Sequence, residues 1–194
     1  MKQHEDFAKY YALENYLFSV VSNRFRDEKT LSAFDFFCIV IWKANRSKSK
    51  VARRLLEQGA GHATLEGAVK TLFKALSDAK DGKQRLAVFV RTWGFRLPMA
   101  SAILTVLYPD EFTVYDVRVC KVLQGFEDAQ YKQDFDTLWQ RYEAYVDRVR
   151  KEVPEESCLR EKDRFLWGKS FAQQLQSDIA DRFGYSGDDP ELDA

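Results

Sequence analysis

WGFRLPMASAILTVLYPDEFTVYDVRV, residues 93–119, decides how the rest of the chain is read. A turn segment, Gly94-Phe95-Arg96-Leu97-Pro98, comes first. An apolar helix is expected from about Met99 to Leu107, because Met99, Ile103, Leu104 and Leu107 share one face. Tyr108-Pro109-Asp110 ends it, since a residue before proline disfavours the helical conformation. Val114-Tyr115-Asp116-Val117-Arg118-Val119 then puts one carboxylate at the start of a further helix, expected from about Asp116 to Leu123. A helix start offers free N–H groups and a positive dipole end, so it can hold a phosphate, and a glycine before it lets a backbone come close. Gly94 fits that role and Arg96 adds a cation. The plain alternative stays open: Gly94 as a helix C-cap, Pro98 in a first helical turn, and Asp116 as an ordinary N-cap. Position 119 is valine, so Asp116 has no capping-box partner.

Upstream, the pattern stays helical. Phe7, Tyr10, Tyr11, Leu17, Val20 and Val21 mark a helix within residues 5–22. Asn23 to Lys29 reads as a charged break, and Thr30 as the cap of the next helix. There Leu31, Phe34, Phe37, Cys38, Ile41 and Trp42 form a wide apolar stripe. Gly59-Ala60-Gly61 breaks the chain, Leu65 to Leu76 gives another helix, Asp81-Gly82 a turn, and Leu86 to Trp93 a short helix. Downstream, residues 129–150 read as a long amphipathic helix stopped by Val153-Pro154. The last helix is expected from about Lys162 to Phe183, with Phe165, Phe171, Leu175 and Ile179 inward. Phe112 to Tyr115 is the best strand candidate and is only four residues long. The class is therefore all-α.

Aromatic residues make up 14% of the 194 and apolar residues 45%, enough for a packed core rather than disorder. Thirty basic residues balance thirty acidic ones, so overall charge announces no nucleic-acid partner and only local distribution can. Setting aside Asp188, Asp189, Glu191 and Asp193 in the final positions leaves a net +4. Cys38, Cys120 and Cys158 show no metal-ligand spacing, and the first two read as small core residues of a protein in a reducing cytosol. The polar first residues are no signal peptide, and Phe36 to Trp42 is too short an apolar run to span a bilayer. His4 and His62 are assigned nothing.

The order of turn, apolar helix, short connector and Val-Tyr-Asp-Val-Arg-Val resembles the helix-hairpin-helix DNA glycosylase superfamily, as a divergent member akin to the 8-oxoguanine glycosylases. Its motif reads approximately L-x-G-V-G-x-K-x-A followed by V-D-x-H-V. Gly94 matches the first hairpin glycine, Ala100 the helix alanine, Asp116 the aspartate and Val119 the apolar residue after it. Arg96 replaces the second glycine, Tyr115 stands for the preceding valine, and Arg118 falls where the family usually has a histidine. Pro98 occupies the place of the nucleophilic lysine of strand-cleaving members, and the four-cysteine iron–sulfur loop of some members is absent. About 30 residues carry the likeness.

The resemblance implies a bilobal fold. Residues 30–125 would form a helical barrel lobe with the hairpin, residues 1–29 and 126–185 a second helical lobe, and residues 186–194 a disordered acidic tail. It implies hydrolysis of the N-glycosidic bond of a damaged or modified base flipped from double-stranded DNA, with Asp116 as the catalytic carboxylate and without metal or cofactor. A lysine-free position 98 implies no strand cleavage through an imine. A cytoplasmic monomer without membrane contact is expected.

Residues 43–54 hold six cations and no acid; a solvated helix face and contact with DNA phosphates both fit such a run. With the hairpin taken into account, Lys43, Lys48, Lys50, Gly94, Arg96 and Arg118 are the expected DNA contacts. Asn45 and Arg46 fall where the family fills the gap left by the flipped nucleotide. Trp42, Tyr115 and Trp167 are candidates for the base pocket, Trp167 from the stretch Asp163-Arg164-Phe165-Leu166-Trp167-Gly168-Lys169. A DNA-binding module without chemistry, and an all-α protein-interaction domain, are the alternatives.

Overall fold

A computed structural model describes residues 7–58, 61–153 and 158–184. Gly59, Ala60, Pro154 and the acidic tail, on which some sequence expectations fall, lie outside the described residues. Among the described residues the protein is all-helical, with no strand.

The centre is α7 (Leu97–Leu107), in which every residue except Pro98 and Met99 is buried. Pro98 sits in its first turn, where the missing N–H costs nothing. The two hydroxyls α7 buries are both hydrogen-bonded: Thr105 Oγ1 donates to the Ser101 carbonyl at 2.7 Å, and Ser101 Oγ accepts the Tyr115 N–H at 2.9 Å. Around α7 pack α3 (Ala33–Ala44) and α2 (Ser22–Glu28), with α4 (Lys48–Glu57) and α5 (Leu65–Ser77) against α3. α6 (Gly82–Ala87) also reaches α7, and α1 (Leu13–Tyr16) runs through a wide π-helical turn, Leu17–Val21, into α2. α8 (Val117–Leu123) packs on α9 (Phe135–Glu152) and on α10 (Leu159–Ala180).

Helix starts follow local chemistry. Ser32 accepts from Asp35 N–H, Thr64 from Gly67 N–H, Asp81 from Gln84 N–H and Asp134 from Thr137 N–H. Three expectations are corrected here. Ser32, not Thr30, opens α3, because its side chain reaches the third amide of the helix. Asn23 to Lys29 is no break: α2 runs to Glu28, Arg26, Asp27 and Glu28 lie toward solvent, Arg24 pairs with the buried Asp35, and Phe25 is buried. The 129–150 helix begins at Phe135, after a 3-10 turn at Ala129–Tyr131.

Two apolar faces differ from expectation. In α3 the core takes Phe36, Ile39 and Val40, while Phe34 and Ile41 are exposed, since α7 and α5 meet a different side of the helix. In α10 the first half packs inward through Leu159, Leu166 and Ser170, but Phe165, Phe171, Leu175 and Ile179 are exposed rather than inward. From Phe171 onward almost every residue of α10 faces solvent.

Phe112 to Tyr115 is extended without being a strand. Side chains from α9 and α7 do the work of a neighbouring strand. Tyr142 Oη donates to the Thr113 carbonyl at 2.7 Å, Tyr145 Oη to the Val114 carbonyl at 2.9 Å, and Ser101 Oγ receives the Tyr115 amide. A buried backbone carbonyl without such a partner costs about 1–3 kcal/mol. This clamped connector ends at Asp116. No helix of the described residues is long and apolar enough to cross a membrane.

Candidate active site

Asp116 caps α8: Oδ1 accepts the Arg118 N–H at 2.9 Å, which fixes the carboxylate against the backbone. Oδ2 accepts from Lys43 Nζ at 2.7 Å, and both side chains are only partly open to solvent. Burial pushes the Asp116 carboxyl up, but the Lys43 ammonium and the Arg118 amide outweigh it and hold the group below the ordinary carboxylate range. Asp116 is thus an anion at any neutral pH.

It opens onto a cleft of about 480 Å³ lined by Glu14, Trp42, Lys43, Val114, Asp116, Arg160, Asp163, Arg164 and Trp167. Four separate elements supply these walls. α1 gives Glu14, the end of α3 gives Trp42 and Lys43, the clamped connector gives Val114 and Asp116, and α10 gives the rest. Arg160 ties them together. It pairs with Glu14 at 2.8 Å, bonds Asp163, and lies 5.1 Å from the ring centroids of both Trp42 and Phe18. Asp163 is 3% exposed, and burial pushes its carboxyl up to about 6 although Arg160 and Lys43 pull it down. Two carboxylates of opposite tendency therefore share one cleft.

The expected site residues divide. Asp116, Trp42 and Trp167 line the cleft; Trp167 is 43% exposed, with the Arg118 guanidinium 5.6 Å from its ring centroid. Lys43 turns into the cleft and pairs with Asp116. Tyr115 does not line it: the residue is 1% exposed, its hydroxyl donates to the Phe126 carbonyl at 2.6 Å, and its ring packs on Tyr145. Asn45, Arg46, Lys48 and Lys50 are exposed, Asn45 Oδ1 accepting from Lys48 Nζ at 3.1 Å.

Gly94 has φ 65°, a left-handed conformation that glycine adopts without strain, and Arg96 precedes α7 as an N-cap without a side-chain bond. Gly94 follows the wide turn Val88–Thr92, and the Phe95 N–H reaches back to the Phe89 carbonyl at 2.8 Å, as at a helix end. This is the geometry of a helix C-cap, the plain alternative for Gly94. Arg54 of α4 donates to the Gly94 carbonyl and lies over Phe95, so the basic segment is bound to the turn. A second hollow nearby along α4 is lined by Lys50, Arg53, Arg54, Glu57 and Gln58.

The sequence reading passed over Glu14, Arg160 and Asp163. A signal existed for the last two: Arg160, Asp163 and Trp167 fall three and four residues apart, on one helical face with a tryptophan already suspected of stacking. Among the described residues no group of three His, Cys, Asp or Glu side chains could hold a metal ion. Comparison with protein-family models, with curated proteins and with solved structures finds no match for the chain.

Proposed function

We propose that the protein is a DNA glycosylase that hydrolyses the N-glycosidic bond of a damaged or modified base flipped out of a duplex. Without a matching relative, the reading rests on the site. One observation carries it: Asp116 is an ionised carboxylate, anchored by a backbone amide, at the wall of a cleft whose other walls include two tryptophans. Breaking an N-glycosidic bond builds positive charge on the sugar. A fixed anion in a partly dry cleft stabilises that charge and can orient the attacking water. Indoles can stack a base, here sharing the rings of Trp42 and Trp167 with the guanidinium groups of Arg160 and Arg118, and about 480 Å³ lies within the range of small-ligand sites.

The finer fold proposed is the bilobal helix-hairpin-helix one. Arg96 before α7 and the exposed cations of α4 then meet phosphates of the duplex. The test incubates the purified chain with duplexes carrying a panel of lesions and natural modifications and reads released bases by mass spectrometry. Release by the wild type and its loss in folded Asp116→Asn supports the reading. A folded mutant as active as wild type would take Asp116 out of the chemistry, and no base release by the wild type from any duplex would mean a DNA-binding module or interaction domain instead.

A second reading has one observation in its favour. The Lys43 amine sits at the site although position 98 is proline, and an amine beside a carboxylate can form an imine with an abasic sugar. Borohydride separates the two: hydrolysis by water predicts no trapped adduct, whereas an imine predicts a covalent adduct that Lys43→Gln abolishes.

A further inference from the structure

Asp163 is a buried carboxyl in the cleft that the proposed hydrolysis leaves without a task. It lies on the inner face of α10, one helical turn before Trp167, and lines the same cleft as Asp116. Burying a carboxyl there costs stability unless something compensates, and Arg160 does so only by sharing its guanidinium with Glu14.

We propose that Asp163 is a second catalytic carboxyl, the proton donor to the departing base, and that the substrate is a neutral base rather than a cationic N-alkylated one. The proposal rests on the glycosylase reading and adds a division of labour to it. Asp116, bonded to Lys43 and to a backbone amide, stays ionised and faces the developing cation. Asp163 faces charged groups from every neighbouring element. Arg160 comes from its own helix and Glu14 from α1 through Arg160; Lys43 comes from α3, Asp116 from the start of α8, and the tyrosines Tyr142 and Tyr145 from α9. With its carboxyl raised to about 6, roughly one molecule in ten carries the proton at pH 7. Two carboxyls whose surroundings drive them apart are the arrangement that assigns an acid and a base within one site.

The step balances. The bond from sugar C1′ to the base nitrogen breaks with its electron pair going to the base, which takes the Asp163 proton. Water adds to C1′ and gives its proton to Asp116. Solvent then returns a proton to Asp163 and removes one from Asp116. A base that already carries positive charge leaves without this proton, so a donor at position 163 has value only for neutral bases.

The test is single-turnover base release against pH, with wild type, Asp163→Asn and Asp163→Glu, on the best duplex from the lesion panel. The proposal expects the wild-type rate to fall about tenfold per pH unit above 6. Asp163→Asn is expected to lose roughly a hundredfold at pH 6 and to lose that slope, while Asp163→Glu restores part of both. On a duplex carrying cationic 7-methylguanine the wild type is expected to show no alkaline slope in any release it gives. An Asp163→Asn protein that releases base at the wild-type rate, or slows but keeps the slope, overturns the proposal and leaves the glycosylase reading standing. A wild type that releases no base from any duplex removes that reading and this proposal together.

Discussion

At the scale of single residues the account turns on which charges share a wall. Asp116 is ionised because Lys43 and a backbone N–H favour its anion over the cost of burial. A lowered carboxyl loses its charge only as pH falls through its folded value, so activity that needs the anion persists into acid. Lys43→Met removes the cation. The acid limb of the pH–rate profile is then predicted to move to higher pH, and an unmoved limb means that Lys43 does not set this charge. Asp163 has the opposite sign. Its folded value of about 6 exceeds the ordinary one, so the stability it contributes is full in acid and is lost as pH rises through about 6. Asp163→Asn is therefore predicted to be more stable than wild type at pH 8 by about 1–3 kcal/mol, with the gap closing below about pH 4. Denaturant titrations at the two pH values check it.

Asp116 itself was legible, since a cap-competent aspartate followed a recognisable turn and helix. Its bond to Lys43 was not: the two lie 73 positions apart, and only the fold, with α3 packed on α7, brings them together. Lys43 read as one cation of a surface run because charge patterns along a chain do not say which member turns inward. Tyr115 is next to Asp116 in the chain, but an extended connector alternates its side chains, so neighbours in sequence face opposite ways.

At the scale of elements, the connector from Phe112 to Asp116 shows why a strand-like pattern need not be a strand. Its carbonyls are taken by tyrosine hydroxyls of α9 instead of by a partner strand. Tyr145→Phe keeps the ring and orphans the buried Val114 carbonyl, so a loss of about 1–3 kcal/mol is predicted. Unchanged stability would show that the hydroxyl clamp contributes nothing. α10 teaches the converse. Its apolar residues recur every four positions from Trp167 to Ile179, which marks a helix face, yet periodicity cannot say whether anything covers that face. Leu159 to Ser170 packs on the body and the remainder does not. Amides from Ala172 to Ala180 are accordingly predicted to exchange orders of magnitude faster than those from Asp163 to Ser170. Uniform slow exchange along the whole helix would contradict this.

At the scale of the molecule, the all-helical class follows from the absence of period-two alternation, and the central position of α7 from a run of residues apolar on every side. What the chain pattern does not carry is the cleft, because its walls come from four elements scattered between Glu14 and Trp167. Only packing around α7 sets those elements at one place, which is why Trp42, Lys43, Asp116 and Trp167 stood out in the chain while Glu14, Arg160 and Asp163 did not.

The measurement that bears most directly on the central claim is the single-turnover rate of base release by wild type and Asp116→Asn, at protein concentrations that saturate the duplex. An electrostatic role at the reacting sugar predicts equal DNA affinity and a rate lower by about a hundredfold to a thousandfold in the variant. Equal rates, or a deficit that saturation abolishes, would contradict it.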